Sequence, residues 1–249
     1  MGKRGNITLY VIIGVVLVIL VSSISYFVIK NQEGTIHTPQ PKDDLEPIKK
    51  HMTACLREDF YDALTVLGSQ GSMNPQTYLA TKDIKIAYYY FMGQNILPNK
   101  DQIELDLETY IKSKTKSCLN DFSSNKYVVE PQEEMEVDVV FVKNGIKTTL
   151  TYPLKVYFQG QELSIDEFET ELGLDFNGIY EIINKIIKDT YDDPEWINFE
   201  NLDSETYEVK IIKVDKSTLL YVITDNETKI GEEVFEYRFA VRYDFWIKK

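Results

Sequence analysis

The chain contains very few side chains suited to nucleophilic or metal chemistry. Its 249 residues include only two histidines and two cysteines. His37 and His51 supply too little material for a histidine-based zinc cluster or a Ser-His-Asp triad. From the sequence we therefore assign no catalytic residue, no metal site and no cofactor.

Positive charge is also scarce. Against 40 Asp and Glu residues there are 27 Lys and Arg, which gives a formal net charge of −13. Phosphate backbones and anionic lipids attract clustered Lys and Arg, so we expect no nucleic-acid partner and no docking on anionic lipid. The many carboxylates leave an extracellular hydrolase open as an alternative, although the sequence selects no acid–base pair.

One long hydrophobic run lies near the amino terminus. The segment from Ile7 to Ile29 contains no charged residue and, as a helix, is long enough to cross a hydrocarbon core of about 30 Å. Lys3 and Arg4 precede it, and cytoplasmic flanks carry an excess of such residues. We expect a cytoplasmic segment 1–6, a transmembrane helix 7–29 and an extracytoplasmic remainder. A cleaved secretory signal is the alternative, with a usual apolar core of about 7–15 residues.

Residues 30–43 have the composition of a spacer. Pro39 and Pro41 cannot continue a membrane helix without loss of backbone hydrogen bonds. The body that follows is therefore expected to be decoupled from the span.

Residues 44–125 are predicted to form a helical subdomain with a short extended pair. Apolar residues recur at helical spacing after Asp44, and Gly68 is the predicted stop of this first helix. The segments 78–80 and 84–91 are predicted to be extended. Asn99 begins a second helix, whose apolar residues lie on one side.

The two cysteines are predicted to form a disulfide. Cys55 and Cys118 both lie on the apolar faces of their helices and in a compartment where disulfides persist. Because His51 precedes Cys55 by four residues and shares its helix face, a thiol nucleophile with a histidine base is the alternative.

Residues 126–249 are predicted to form an antiparallel sheet plus one long helix. Apolar residues alternate from Met135, and Asn144-Gly145 is a favoured hairpin turn. Pro153 indicates a bend or an edge. Ser164 and Glu167 form a capping-box pattern, which predicts a long helix reaching Asp189.

The carboxyl-terminal part is predicted to add a hairpin and a last strand. Segments 207–214 and 219–224 form the hairpin, and aromatic residues alternate from Phe235 to Tyr243. The aromatic stripe is interpreted as core, with a ligand-binding shelf as the alternative.

Two local sequences could mark surface sites. The cluster Asp189, Asp192, Asp193 and Glu195 is predicted to lie in a loop before Trp196, where a solvated loop is the main interpretation and an ion site the alternative. Asn226-Glu227-Thr228 is a glycosylation sequon predicted to fall in a turn, so Asn226 is a candidate acceptor.

The predicted fold class is α+β. An amino-terminal transmembrane helix is followed by helices packed on a largely antiparallel sheet with β-hairpins.

Five segments carry a resemblance to a known group of proteins: Lys3-Arg4-Gly5-Asn6-Ile7-Thr8, Cys55-Leu56, Leu67-Gly68-Ser69-Gln70-Gly71, Tyr110-Ile111 to Cys118-Leu119, and Phe239-Ala240-Val241-Arg242-Tyr243. Over nearly its whole length the chain resembles uncharacterised archaeal single-span membrane proteins. The resemblance implies an anchored exterior domain with a paired Cys55 and Cys118. That group has no assigned activity, so no catalytic residue can be transferred from it.

The amino terminus also resembles a prepilin leader, in which a peptidase cuts after Gly5. Asn6 departs from the residues usual after that cut, and the prolines of the spacer interrupt the extended helix that pilins use. We therefore expect a single-pass, membrane-anchored extracytoplasmic interaction or ligand-binding module, with a protein partner or self-assembly in the envelope. A pilin-like filament subunit is the first alternative.

Overall fold

The computed structural model describes residues 45–118, 126–194, 202 and 206–243. The predicted cytoplasmic segment, transmembrane helix and spacer lie outside these residues, as do Asp44, Glu195 and Trp196. None of the helices in the described part combines the length and apolar character that a bilayer crossing requires. The described residues belong to one compact unit.

The first helix, α1, spans Glu46–Gln70 and begins with a proline in its first turn. Its buried residues lie three or four positions apart, as the helical spacing predicts; they are Ile48, Met52, Leu56, Phe60, Ala63, Leu64, Leu67 and Gly68. The predicted stop at Gly68 is wrong. The helix continues to Gln70, and its C-cap is Gly71, whose φ of +70° is left-handed and whose N–H donates to the Leu67 carbonyl.

Gly68 has a packing role inside α1. A side-chain carbon at this position would lie 2.5 Å from the Glu236 carbonyl oxygen and 2.9 Å from the Phe235 ring. The glycine therefore permits close contact between the helix and a strand, and it does not end the helix.

Three strands and a second helix follow. They are β1 Tyr78–Ala80, β2 Lys85–Phe91, β3 Gln94–Asn95 and α2 Lys100–Thr115. The Asn99 side chain accepts a hydrogen bond from the Gln102 N–H, which confirms the predicted start of α2.

The remaining elements are β4 Val128–Pro131, β5 Glu136–Val142, β6 Gly145–Phe158, β7 Gln161–Leu172, α3 Phe176–Asp192, β8 Tyr207–Lys213, β9 Thr218–Ile230 and β10 Glu233–Arg242. The α+β class is confirmed. One sheet, the first, has the strand order β1-β2-β10-β9-β8, with β3 also paired to β2. Its β2–β10 pair is parallel and its other pairs are antiparallel, so this sheet is mixed.

The second sheet is entirely antiparallel and is organised around β6, which pairs with β4, β5 and β7. The predicted β5–β6 hairpin is confirmed, although Val142 pairs with Gly145 and the two-residue loop is therefore Lys143–Asn144. The β6–β7 register shifts between Thr151 and Leu154, around Pro153, where a bend was predicted.

The first half of the predicted long helix is wrong. Residues 161–172 form β7, and α3 begins only at Phe176, where the Asp175 side chain accepts from the Gly178 N–H. The pairing of β7 along the whole length of β6 overrides the local capping-box pattern of Ser164 and Glu167.

The core lies between the helices and the two sheets. Helix α1 contacts β10 of the first sheet and β7 of the second, and thereby connects them. The alternating aromatic residues of β10 are buried, as predicted; they are Phe235, Tyr237 and Phe239, with Tyr243 just beyond the strand. Phe239 stacks between Tyr89 and Tyr221, at centroid distances of 5.0 and 5.1 Å.

Candidate functional site

The predicted disulfide between Cys55 and Cys118 is confirmed. Cys55 lies in the middle of α1, and Cys118 lies three residues after the end of α2. The bond therefore ties the two helices together. Cys118 is 5% exposed, whereas Cys55 is only partly buried.

His51 lies beside both sulfur atoms. Its Nε2 is 3.6 Å from Cys118 Sγ, 3.9 Å from Cys55 Sγ and 3.1 Å from the Cys118 carbonyl oxygen. Because a carbonyl oxygen only accepts hydrogen bonds, this contact places a proton on Nε2. The imidazole therefore lies beside the disulfide, with its Nε2–H directed at the Cys118 carbonyl oxygen.

One helical turn beyond Cys55, a carboxyl group also packs at the junction of α1 and α2. Asp59 accepts a hydrogen bond of 2.7 Å from the Thr115 hydroxyl. Burial raises the pKa of Asp59, and the hydrogen bond from Thr115 partly offsets this effect. The junction thus holds an imidazole, a disulfide and a partly desolvated carboxyl group.

The structure does not place the acidic cluster as predicted. Asp189 and Asp192 lie in the last turn of α3, and Asp193 follows directly as its C-cap, so they are not loop residues. Within the described residues, these aspartates do not belong to any group of three potential ligands close enough to share an ion; the group that does meet this distance is His51, Cys55 and Cys118, whose sulfurs are bonded to each other and are not thiolate ligands.

The sequon lies within strand β9 and not in a turn. Asn226 is exposed, and its N–H donates to the Thr206 carbonyl. Thr228 is 5% exposed and donates to the Gly173 carbonyl at 2.9 Å. Residues 226–228 interrupt the β9–β10 register, and this local bulge keeps Asn226 on the surface.

A groove of about 590 Å³ lies on the first sheet. Lys210, Val222 and Arg238 are directly opposite one another across β8, β9 and β10, which places them on one face. The aromatic residues Tyr221, Tyr237 and Phe239 occupy alternate positions and therefore point to the other face, toward the core.

The groove is lined by aliphatic and charged side chains. Its aliphatic side chains are Ile84, Ile86, Ile212, Leu220 and Val222, and its charged ones are Asp83, Lys210, Glu236 and Arg238. Glu236 and Arg238 belong to β10, the strand between β2 and β9. Arg238 forms an ion pair with Glu236 at 2.5 Å, and Ile212 is 38% exposed. We call this surface the aliphatic groove.

Comparison with known proteins found no matching family model, no matching curated protein and no matching solved structure.

The sequence contained a signal for the aliphatic groove that strand alternation alone does not capture. Residues 219–223 read Leu-Leu-Tyr-Val-Ile, an unbroken apolar run in a strand. Such runs indicate that both faces of a strand are apolar, so Leu220 and Val222 pointed to a second apolar surface.

Proposed function

We propose that the chain is a membrane-anchored module outside the cytoplasm that binds a protein partner through the aliphatic groove. The observation that carries this proposal is the composition of the groove, whose lining combines five aliphatic side chains with both signs of charge. Protein interfaces likewise combine apolar contact area with polar and charged groups.

The charges of the groove favour a partner that itself carries charged groups. Among the described residues, the Lys210 ammonium forms no ion pair, whereas Arg238 is already held by Glu236. A carboxylate of the partner could therefore pair with Lys210 while its apolar side chains cover Leu220 and Val222. Complementary charges across an interface contribute more to the choice of partner and to the association rate than to affinity.

The membrane anchor is supported by sequence. The uncharged run from Ile7 to Ile29 exceeds the apolar core of a usual secretory signal, and Lys3 and Arg4 favour a cytoplasmic amino terminus. The resemblance to archaeal single-span proteins agrees with this arrangement. The spacer would let the groove reach a neighbour in the envelope.

Site-specific photo-crosslinking in intact cells tests the proposal. A benzophenone amino acid replaces Ile212, which is 38% exposed at the groove, or Val140, which is 42% exposed on the second sheet. We expect a discrete crosslinked protein from position 212 and none from position 140. Absence of a product at 212, or the same products at both positions, would overturn the role of the groove.

The leader-like segment before Asn6 supports a filament subunit as a second candidate function. In that case the peptidase removes Met1–Gly5, and the protein crosslinked at position 212 is a second copy of this chain. Intact-mass measurement of the membrane form detects the cut. A chain that keeps residues 1–5 rules out this candidate.

A further inference from the structure

We propose that the Cys55–Cys118 disulfide is a site of thiol–disulfide exchange, at which an incoming thiolate attacks Cys55 and releases Cys118 beside His51. This inference is independent of the aliphatic groove. It assigns the pair a reactive role in addition to its role as a crosslink. The substrate class is a small-molecule dithiol.

The difference in burial between the two sulfurs sets the direction of attack. A thiolate must approach a disulfide sulfur directly, and access is one determinant of the exchange rate. Cys118 is 5% exposed, whereas Cys55 is only partly buried. An incoming thiolate therefore reaches Cys55 first, and the sulfur of Cys118 becomes the leaving group.

The position of His51 favours that same leaving group. Its Nε2 lies nearer to Cys118 Sγ, at 3.6 Å, than to Cys55 Sγ, at 3.9 Å. The hydrogen bond from Nε2 to the Cys118 carbonyl oxygen holds the imidazole ring in place beside both sulfurs. A histidine next to a cysteine stabilises the thiolate, and a more stable thiolate leaves faster.

The electrons balance through two exchanges. In the first, the thiolate of the dithiol forms a bond to Cys55 Sγ, the Cys55–Cys118 bond breaks, and its electron pair stays on Cys118 Sγ. In the second, the other thiol of the dithiol loses its proton to solvent and attacks the sulfur of its own molecule in the mixed disulfide. This step releases Cys55 as a thiolate and leaves the dithiol oxidised to a cyclic disulfide.

The first experiment maps the sulfur that is attacked. The folded full-length protein is treated with glutathione, quenched with acid, alkylated at low pH and analysed by mass spectrometry. We expect glutathione on Cys55 and the alkyl group on Cys118. Glutathione on Cys118, or reduction that occurs only as fast as the chain unfolds, would overturn the proposal.

The second experiment tests His51 by measuring the rate of reduction by dithiothreitol. His51→Gln keeps an N–H donor for the Cys118 carbonyl oxygen but cannot carry the positive charge of an imidazolium. We expect a thermal midpoint close to that of the wild type and a reduction about tenfold slower. Lys50→Gln, one position earlier on α1 with a 75% exposed side chain, is the matched control and should keep the wild-type rate. Wild-type rates in His51→Gln, or an equal loss in the control, would show that the imidazole plays no part.

Discussion

The two sheets satisfy their buried polar groups in different ways. In the first sheet, tyrosine hydroxyls pair with each other inside the core. The Tyr89 and Tyr237 hydroxyls are 2.5 Å apart and both contact the Gly71 carbonyl oxygen; because each carries one proton, one hydroxyl donates to the other and the second donates to this carbonyl. Tyr221 and Tyr243 hydroxyls are 2.9 Å apart.

In the second sheet, polar side chains from neighbouring helices cover the open edge of β5. Glu104 and Glu108, one turn apart on α2, accept hydrogen bonds from the Phe141 and Val139 N–H groups at 2.8 and 3.1 Å. Asn177 of α3 donates to the Val142 carbonyl at 3.0 Å. These contacts occupy backbone groups that would otherwise be available to pair with another chain.

The polar groups of the first sheet are tyrosine hydroxyls buried in the core, whereas those of the second sheet lie along the open edge of β5. Substitutions in the first sheet should therefore be the more costly. The helices that serve the two sheets are joined by the disulfide, so its removal affects both.

Removal of the disulfide should have the largest effect. The bond links residues separated by 63 positions, and closing a loop of that length stabilises a fold by about 4 kcal/mol in the chain-entropy model. We expect Cys55→Ser/Cys118→Ser to lower the free energy of unfolding by about that amount in urea titrations. An unchanged midpoint would show that packing alone holds α1 to α2.

Gly71→Ala should be the next most costly change. The residue has φ of +70°, and a side-chain carbon would lie 2.5 Å from the Arg238 carbonyl oxygen. We expect a loss of about 3 kcal/mol, from left-handed strain and from overpacking together.

Gly160→Ala, in the turn between β6 and β7, is the matched control for Gly71→Ala. Its φ is +80° but nothing lies within 4 Å, so only backbone strain of about 1 kcal/mol is expected. Equal losses of unfolding free energy in the two variants would mean that the close approach of Gly71 to the Arg238 carbonyl oxygen adds no cost beyond backbone strain.

Alkaline pH should destabilise the first sheet. Burial raises the pKa values of Tyr89, Tyr221 and Tyr237 above the ordinary value near 10. The native state thus keeps protons that the unfolded chain loses, so stability is intact below pH 10 and falls above it, by about 1.4 kcal/mol per pH unit for each such group.

The variant Tyr221→Phe isolates one of these groups. Unfolding free energies measured between pH 9 and pH 11 should fall less steeply in this variant than in the wild type, by about 1.4 kcal/mol per pH unit above pH 10. Identical slopes in the two proteins would mean that Tyr221 ionises as readily in the native state as in the unfolded chain.

Glu104→Ala should have the smallest effect of this series. It leaves the Phe141 N–H without its acceptor, which we expect to cost about 1 kcal/mol. Asp106→Ala, on the same helix with an exposed contact to Gln102, should change the unfolding free energy by less than about 0.5 kcal/mol. A loss at Asp106 equal to that at Glu104 would argue against edge protection.

The fold was predictable wherever local pattern and long-range pairing agree. The helices that contain Cys55 and Ile103, and the hairpin around Asn144, follow directly from their spacing. Strand β7 could not be recognised because the register shift at Pro153 interrupts its alternation. The inward-facing residues of β7 are at odd positions up to Ile165 and at even positions from Phe168 onward. The spacing of three residues between Ile165 and Phe168 is the spacing expected on one face of a helix.

The reactive part of the site was only partly predictable. The i,i+4 spacing placed His51 and Cys55 on one helix face. The expected extracytoplasmic compartment and the apolar helix faces that carry both cysteines predicted the pairing of Cys55 with Cys118. That His51 also lies against Cys118 depends on how α1 packs on α2, which spacing within one helix does not specify. The aliphatic groove likewise requires the order of strands β8, β9 and β10.

Labelling of intact cells with a membrane-impermeant amine reagent tests the central claim, that the folded body lies outside an anchoring membrane. Lys50 has a 75% exposed side chain in the body, and Lys3 precedes the hydrophobic run. The account predicts a labelled Lys50 in intact cells, with Lys3 labelled only after permeabilisation. A Lys50 that reacts only in permeabilised cells would contradict it.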